Sequence, residues 1–375
     1  MPCSNRQGIL INITYNIVGA NIFAPFTLML MKKKKLWTIV ITIASLSIII
    51  IAMGIYVGHL IVGHHFTNVD TAYVYIDKDD NLDSIRTKTI ETGNLEETLG
   101  FVIIADYYDL DKNIHTGRYE VNNSMRMLDY VRNLRSGNQK PLMMVVPSVR
   151  TIEDLCGRVT RNLMLDSADL ASAFCDTSFC HSLGYKKETL PSLFIPNTYE
   201  VYWDMSVDDF AQRMLKENKK FWNEERTQKA EELGMSKEEV ATLASIVDSE
   251  TANNGEKARV AGLYINRLNK SILLQSDPTV IFAAQDFTIR RVLNKHLEID
   301  SPYNTYKYPG LPPGPIRIPS IAGIDAVLNY ENHNYIYMCA KEDFSGTHNF
   351  AVTYGEHLRN ARRYINALNE RGIKK

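Results

Sequence analysis

Glu250 is the residue of this sequence whose position best suits acid–base chemistry. It follows a capping-box pattern, Ser236 with Glu239, and a run of apolar residues at helical spacing. Glu250 falls at the edge of the apolar face, whereas Asp248 points away from it. A carboxyl group beside apolar surface loses hydration when it ionises, so its pKa rises and it can act as a general acid, for example toward a glycosidic oxygen. On this segment alone, a surface glutamate near a helix end is the simpler interpretation.

Further segments change that interpretation. They are ASIVDSET around Glu250, LYINRL (263–268), LLQSDPTVIFAA (273–284), SPYNTYKYPGLPPGPI (301–316) and SGTHNF (345–350). Together they resemble the YceG-like family of endolytic murein transglycosylases. The family pattern reads close to ASIVEKET, so Asp248 replaces a family glutamate while Glu250 keeps the glutamate–threonine pair. The resemblance implies that Glu250 is the catalytic acid, at the end of a helix.

The resemblance also implies a set of substrate-binding side chains. They are Gln275, Asp277, Asn304, Tyr306 and His348. An asparagine can exchange hydrogen bonds with sugar hydroxyl and N-acetyl groups, and a tyrosine offers a stacking face and a hydroxyl. Each has a structural alternative. Asp277 precedes a proline and could be only a helix cap. Asn304 and Tyr306 lie in a proline-rich loop (301–316) that could only brace the Glu250 helix. His348 could be a structural histidine.

The number of well-placed carboxylates favours a reaction that needs only one. Ordinary glycoside hydrolases need two, and here only Glu250 has a well-supported position. The resemblance implies a lytic transglycosylase that cuts the β-1,4 bond between MurNAc and GlcNAc within nascent glycan strands. The sugar's own 6-hydroxyl attacks, which leaves a 1,6-anhydro-MurNAc end. Two alternatives stay open: a hydrolytic muramidase that uses Glu250 with Asp248 or Asp277, and a non-catalytic, membrane-tethered peptidoglycan-binding scaffold.

Composition and charge limit the partners. The chain has 375 residues, a net charge of −1 and 45% hydrophobic residues, as expected for a globular protein of two or three domains. Near-neutral charge argues against nucleic acid as a partner. No metal-ligand spacing is present, so we expect no metal and no cofactor. Cys175 and Cys180 could form a local disulfide in an exported domain. The expected partners are peptidoglycan strands, the inner membrane and, by resemblance, peptidoglycan synthases.

A membrane-anchor pattern lies near the N-terminus. Lys32–Lys35 precede the run Leu36–Val69, which contains no Asp, Glu, Lys or Arg and exceeds the roughly 20 apolar residues that a span needs. The lysines predict a single-pass anchor in the inner (cytoplasmic) membrane with the rest of the chain on the periplasmic side. A cleaved signal peptide is the rival, but the run is too long for one. MKKKKLW resembles a natural start, so we hypothesise that residues 1–30 are not native.

The fold class predicted for the chain is α+β. We divide it into a cytoplasmic segment (1–35), a transmembrane helix (36–62), a small α+β module (70–150) and a mixed α+β catalytic domain (151–375). In the module, strands at 72–76 and around Tyr119 alternate with helices. One of these helices is predicted to turn Met125, Leu128 and Val131 inward. The resemblance implies that the module is LysM-like and binds substrate, whereas the residues alone support only a small α+β domain.

Overall fold

The computed structural model describes residues 20–67, 70–95 and 97–372. Its architecture is mixed α+β, as predicted, and the described residues form three two-stranded sheets among many helices. Two compact units are present. The first comprises residues up to Val74, Asp80–His115 and Glu120–Asn138; the second comprises Tyr75–Asp79, Thr116–Tyr119 and the chain from Gln139 onward. The predicted boundaries at residues 70 and 150 stay predictions.

The predicted membrane helix lies within α1 (Ala20–Val62). Its segment Met29–Val62 has 34 residues and contains an 18-residue stretch with a mean hydropathy of 2.6, which makes it long and apolar enough to cross a membrane. The helix begins before the predicted residue 36 because lysine is a good helix former and Lys32–Lys35 therefore do not interrupt it. The hypothesis about residues 1–30 rests largely on residues 1–19, which lie outside the described residues.

The small module has six short elements. They are β1 (Ala72–Ile76), α2 (Leu82–Gly93), α3 (Leu99–Tyr107), a 3-10 turn (Leu110–Lys112), β2 (Gly117–Val121) and α4 (Met127–Ser136). The buried residues of α4 are Met127, Tyr130, Val131 and Leu134. The inward orientation predicted for Val131 is confirmed. The rest of the predicted inward face is wrong, because Met125 precedes the helix and Leu128 is only half-buried. The LysM-like character of this module stays a prediction.

Fifteen further elements and a 3-10 turn follow in the second unit. They are β3 (Leu142–Val146), α5 (Ile152–Val159), α6 (Ser167–Cys175), α7 (Thr177–Ser182), the 3-10 turn Leu190–Leu193, β4 (Asn197–Val201), α8 (Val207–Phe221), α9 (Glu224–Glu232), α10 (Lys237–Glu250), α11 (Asn254–Asn269), α12 (Asp277–Ala284), α13 (Asn294–Leu297), α14 (Ile321–Leu328), β5 (Tyr337–Ala340), β6 (His348–Ala351) and α15 (Tyr354–Glu370). Strands β3 and β4 pair antiparallel, with Leu142 opposite Val201, and β5 pairs antiparallel with β6.

Two hydrophobic clusters fill this unit. The first lies against β3 and β4 and contains the fully buried rings of Phe174, Phe194 and Phe210. The second joins α10, α11 and α14 through residues such as Leu243 and Val327. Burial of apolar surface stabilises the folded state by about 25 cal/mol per Å², so such clusters make the main favourable contribution to folding. The second cluster carries the end of α10, and with it Glu250.

Helix α10 begins as its sequence predicts. Ser236 Oγ accepts a hydrogen bond from the Glu239 backbone N–H at 3.1 Å, and the Glu239 carboxylate accepts one from the Ser236 N–H at 2.8 Å. The predicted apolar face is only part of what is buried, since all residues from Val240 to Val247 are inaccessible. Helices α11 and α14 pack against it, and its Ser245 hydroxyl accepts the Ile316 N–H at 3.0 Å. Because α10 is buried on all sides from Val240 to Val247, its last residue, Glu250, is held in a fixed position.

The cysteines that the structure describes are all free thiols. Cys175 is exposed and Cys180 is buried, and the Cys180 thiol donates to the Phe174 carbonyl at 3.3 Å. The local disulfide left open by the sequence is therefore not formed here. Burial also raises the pKa of the Cys156 thiol to about 12, so it remains protonated at neutral pH. Among the described residues, no group of three or more His, Cys, Asp and Glu side chains could hold a metal ion.

Candidate active site

Glu250 is the last residue of α10, and its carboxylate accepts two hydrogen bonds. Tyr264 of α11 donates its hydroxyl to Oε1 at 2.7 Å, and Ser276, just before α12, donates its hydroxyl to the same oxygen at 2.5 Å. Within the described part of the chain no protein donor is bonded to Oε2, so this oxygen is the one that can meet a ligand. A carboxyl group held by two hydroxyls and open on one oxygen can exchange a proton with a bound molecule.

The pKa of Glu250 is raised above its ordinary value. Burial is the largest cause, because it disfavours the charged form. The hydrogen bonds from Ser276 and Tyr264 oppose this effect, the negative charge of Asp277 adds to it, and His348 opposes it. The net direction keeps the carboxyl group protonated to higher pH than a solvated glutamate, which suits a general acid.

A cavity of about 350 Å³ opens beside Glu250. Its lining side chains come from α10, α11, the segment before α12, the first residue of α12, the proline-rich loop (301–316), β5 and α15. They are Glu250, Leu263, Tyr264, Arg267, Leu274, Gln275, Asp277, Tyr306, Tyr337, Met338, Tyr354 and His357. The cavity combines one carboxyl group of raised pKa with a second carboxylate, a guanidinium and several aromatic rings. Such a mixture of apolar walls with a few convergent polar groups is typical of a ligand site.

Asp277 and Tyr306 form a pair at the rim of this cavity. The Tyr306 hydroxyl donates to Asp277 Oδ1 at 2.6 Å. Asp277 is the first residue of α12, but Ser276, its N-cap, makes no side-chain capping bond, since its hydroxyl goes to Glu250 instead. Burial and the charge of Asp277 raise the pKa of Tyr306, which keeps its hydroxyl a neutral donor. The predicted residues Asp277 and Tyr306 are therefore brought together with Glu250.

Gln275 also lines the cavity, and it is held by a buried arginine. The residue has a left-handed backbone with φ of 52°, and its N–H donates to the Thr305 carbonyl at 3.1 Å. Arg267, only 6% exposed, donates to Gln275 Oε1 at 2.5 Å, to the Leu273 carbonyl at 2.9 Å and to the Ile336 carbonyl at 2.6 Å. Arg267 thus fixes the segment before α12 against the chain that enters β5.

Asn304 lies behind the cavity wall rather than in it. Its side chain is fully buried, and its Nδ2 donates to the carbonyls of Leu297 at 2.9 Å and Ile299 at 2.8 Å. Its Oδ1 accepts the backbone N–H of Tyr306 at 3.1 Å. These contacts favour a positioning role, in which Asn304 shapes the loop that presents Tyr306. Direct contact between Asn304 and a ligand stays a prediction.

His348 is tied to a different buried carboxylate. Its Nδ1 lies 2.8 Å from Glu256 Oε2, and its backbone N–H donates to Glu256 Oε1 at 2.8 Å. Glu256 is 5% exposed and also accepts from the Thr251 hydroxyl at 3.4 Å. His348 is not among the residues that line the described cavity. Its charge still affects Glu250, whose pKa it lowers. A substrate-binding role for His348 stays a prediction.

Asp248 has a partner network of its own, away from the cavity. Its carboxylate, 3% exposed, lies 2.7 Å from Lys257 Nζ and accepts the Ser320 N–H at 2.6 Å and the Ser320 hydroxyl at 2.8 Å. The Ser320 hydroxyl in turn accepts the Gly323 N–H and caps α14. Asp248 therefore does not line the cavity and instead joins α10 to α14. The prediction that it points away from the buried face of α10 is wrong, because Lys257 and Ser320 supply the polar partners that let a carboxylate be buried there.

Several residues of the site were not predicted from the sequence. Tyr264 lies in an apolar helix and resembles a core residue, and Ser276, which donates to Glu250, was not singled out within its motif. Tyr337, Tyr354 and His357 come from β5 and α15, which are not among the segments that carried the resemblance. The Tyr337 and His357 rings are stacked, with centroids 5.3 Å apart and planes 23° apart. The signal that could have found them is the aromatic spacing of β5 and the start of α15.

A sequence model of the YceG-like family matches residues 74–363. The chain belongs to the YceG-like family. This YceG-like protein is 34% identical over 186 residues to the endolytic murein transglycosylase of Bacillus subtilis, a match that covers 49% of this chain and 51% of the relative. It is 25% identical over 325 residues to the endolytic murein transglycosylase of Streptococcus pneumoniae, covering 78% of this chain and 58% of the relative. It thus spans only about half to three-fifths of the length of these relatives.

A solved structure supports the same assignment for the fold. The crystal structure of a YceG-like protein from Listeria monocytogenes superposes on this YceG-like protein with a TM-score of 0.53 and 26% sequence identity. The match covers 77% of this chain and 98% of the other. The family predicted from the sequence motifs is therefore confirmed.

Proposed function

We propose that this chain is a membrane-anchored, endolytic peptidoglycan lytic transglycosylase. Its substrate is the MurNAc–GlcNAc β-1,4 bond within nascent glycan strands, and its product is a 1,6-anhydro-MurNAc end. The observation that carries the proposal is Glu250, a carboxyl group of raised pKa with one free oxygen at the wall of an open cavity. Family membership and relatives named endolytic murein transglycosylases support the substrate.

In the proposed mechanism Glu250 acts first as acid and then as base. Protonated Glu250 donates its proton to the glycosidic oxygen as the bond from that oxygen to the anomeric carbon breaks. The 6-hydroxyl oxygen of the same MurNAc then bonds to the anomeric carbon, and its proton returns to Glu250. No water is consumed, and the enzyme ends in its starting state. Tyr264 and Ser276 stabilise the transient carboxylate, because both donate to its Oε1.

The remaining cavity residues are proposed to hold the glycan. The exposed Asp277 carboxylate is negative, so it favours the positive charge that develops at the anomeric carbon. Gln275 can hydrogen-bond to hydroxyl and N-acetyl groups. The rings of Tyr337, Tyr354 and His357 form an apolar wall against which a sugar ring can stack. Asn304 is proposed to hold the backbone of Tyr306 in place. His348 is proposed to support the junction of α10 and α11 through Glu256.

The proposed cellular location of the chain rests on helix α1. We propose that α1 anchors the chain in the inner membrane with Lys32–Lys35 on the cytoplasmic side, which leaves the catalytic unit on the periplasmic side. An enzyme tethered in this way reaches strands close to the membrane, where new glycan emerges. Peptidoglycan synthases are the expected neighbours. Glycan binding by the LysM-like module at 70–150 belongs to the same proposal.

One observation favours a second candidate, a hydrolytic muramidase. Asp277 lines the same cavity as Glu250 and could supply the second carboxylate that hydrolysis requires. Asp248 is a poor choice for that role, because Lys257 and Ser320 already occupy its buried carboxylate. A non-catalytic glycan-binding scaffold is the remaining alternative.

Product analysis separates these three functions. The full chain in detergent is incubated with uncross-linked glycan strands, and the fragments are analysed by mass spectrometry. The proposal predicts internal fragments with anhydro ends that disappear with Glu250→Gln. Fragments with reducing ends would replace the proposal with the muramidase. Intact strands that bind to a folded wild-type protein would replace it with the scaffold.

The dependence of cleavage on pH is expected to follow Glu250. The rate falls as the pH rises through the raised pKa of Glu250, because only the protonated carboxyl can donate. Asp277→Asn removes a charge that raises this pKa, so the basic limb moves to lower pH. Tyr264→Phe removes a bond that lowers it, so the limb moves to higher pH. Profiles of kcat/KM against pH measure both shifts, with Asp300→Asn, outside the cavity lining, as the control. Shifts of the same sign in the two variants would contradict the assignment.

The aromatic wall is expected to affect substrate binding more than chemistry. Tyr354 is 59% exposed at the cavity, so Tyr354→Ala should leave the fold intact. Loss of a stacking face worth about 0.5–1.5 kcal/mol predicts a rise in KM of about 2–10-fold with kcat nearly unchanged. The matched control is Tyr308→Ala, another exposed tyrosine (41%) that does not line the cavity. Steady-state kinetics on glycan strands gives the answer, and equal KM values for the two variants would contradict the stacking role.

A further inference from the structure

We propose that one face of α3 is a second membrane contact that embeds at the boundary between headgroups and acyl chains of a phospholipid bilayer. This "α3 face" consists of Leu99, Val102, Ile103 and Tyr107. It lies beside the end of α1, and the inference rests on the proposed anchoring of the chain by α1. It adds to the proposed function a fixed position of the small module at the membrane surface.

The sequence of α3 is more apolar than its own core requires. Of the nine residues LGFVIIADY, Phe101, Ile104 and Ala105 are buried and supply the contact with the module. The opposite side is exposed. The exposed fractions of its apolar residues are 46% for Leu99, 39% for Val102 and 80% for Tyr107. A helix that is apolar on both sides is usually covered on both sides, and a row of exposed apolar residues marks an interaction surface.

The α3 face is continuous with the apolar end of α1. Leu60 is 1% exposed, and its carbonyl lies so close to Gly100 that a Cβ on Gly100 would be 2.3 Å from it. Glycine at this position therefore lets the two helices meet. Ile61 of α1 joins Ile103, Ile104 and Tyr107 around an apolar cavity of about 220 Å³. Whatever surrounds the end of α1 also meets the α3 face.

The length of α1 sets the depth of this contact. Trp37 and Tyr56, the aromatic residues that favour the two membrane interfaces, are 67% and 49% exposed. At 1.5 Å per residue they lie roughly 28 Å apart, close to the thickness of a hydrocarbon core, about 30 Å. Ile61 then lies about 8 Å beyond Tyr56, in the headgroup layer. Interfacial helices bury their apolar sides about 5–10 Å deep at this level.

The border of the α3 face also fits an interface. Tyr108 is held by two arginines of α4: Arg132 Nε donates to its hydroxyl at 3.1 Å, and Arg135 Nε donates to its carbonyl at 3.0 Å. Both guanidinium groups lie over the Tyr108 ring, at 5.8 and 5.6 Å from its centroid. Asp106 is exposed on the same side of α3, four residues after Val102, and Asp109 is exposed beyond the end of the helix, so the local charge is mixed. Apolar insertion, rather than attraction to anionic headgroups, is therefore the expected driving force.

Quenching by brominated lipids tests the contact. The full chain carrying Trp37→Phe and Tyr107→Trp is placed in nanodiscs of phosphatidylcholine with or without bromine near the top of the acyl chains. After subtraction of the Trp37→Phe parent, the new tryptophan is expected to lose at least half of its emission in brominated lipid. Glu91→Trp, on an exposed position of α2, is the matched control and should lose little. Val102→Asp, added to the Tyr107→Trp chain, should at least halve the quenching.

Each result has a distinct meaning. Quenching of Trp37 in the wild-type chain reports insertion of α1 by itself. A quenched Trp37 with an unquenched tryptophan at position 107 would overturn the α3 contact and leave the anchor intact. Quenching at 107 that Val102→Asp does not change would also overturn it, since the signal would then reflect proximity alone. An unquenched Trp37 would overturn both the anchoring and the α3 contact. Equal quenching in zwitterionic and anionic nanodiscs is expected.

Discussion

Glu250→Gln is expected to lower kcat for glycan cleavage by about 10³-fold or more while glycan binding is retained. General acid–base catalysis alone contributes about 10²–10⁴-fold, and the proposed mechanism uses Glu250 in both proton transfers. Glutamine keeps the shape of the side chain, and its Oε1 can still accept from Tyr264 and Ser276. The fold and the cavity should therefore persist, and the lost function is the proton itself.

The measurement is the rate of anhydro-end formation, with binding to glycan strands followed in parallel. Glu331→Gln is the matched control, because Glu331 forms a surface pair with Arg259 in which both side chains are more than 40% exposed. This control should retain wild-type activity within about 2-fold. A Glu250→Gln enzyme with more than a tenth of the wild-type rate would exclude Glu250 as the general acid.

Lys257→Met is expected to destabilise the second unit by about 3–5 kcal/mol. The Lys257 ammonium and the Asp248 carboxylate are 8% and 3% exposed and lie 2.7 Å apart. Removal of one member of a buried pair leaves the other charge without compensation, and costs of this size are typical. Asp248 keeps its bonds from Ser320, but these neutral donors do not replace a cation.

Unfolding in denaturant, followed by fluorescence, measures this loss. Trp222 is 6% exposed within the same hydrophobic cluster, so its emission reports on α10 and α11. Lys229→Met is the control, since Lys229 pairs with Glu225 in an exposed contact worth less than about 1 kcal/mol. Combining Lys257→Met with Asp248→Asn should recover part of the stability, because the uncompensated charge is then gone. A loss below about 1 kcal/mol in Lys257→Met would show that the pair does not join these helices.

Structural features that depend only on residues close together in the sequence were predictable. The capping box at Ser236 and Glu239 forms as expected, because both partners lie within one turn. The apolar run after Lys32–Lys35 is a helix long enough for a membrane, and the mixed α+β class follows from the alternation of element types. The resemblance of several short motifs to those of the YceG-like family was enough to identify the family. These signals are local or additive, so they need no knowledge of which segments meet.

The phase of a short helix was harder to predict. The inward face of α4 was misplaced because one residue of phase, about 100°, changes which side chains are buried. The sequence around Met125 has apolar residues on several sides, and only packing against the rest of the module decides among them. The extent of burial of α10 has the same origin, since α14 covers it from a segment some 70 residues later.

By itself the sequence determined an N-terminal helix long enough to cross a membrane, the family and the helix end that carries Glu250. Only the tertiary structure decided what surrounds that carboxyl group. Asp248 and Asp277 are both acidic residues in family motifs, but long-range contacts place Asp248 against Lys257 and Asp277 at the cavity. The same contacts bury Asn304 within its loop and bring α15 to the cavity wall. The physical reason is that hydration, hydrogen bonding and charge depend on neighbours in space, which local sequence patterns do not specify.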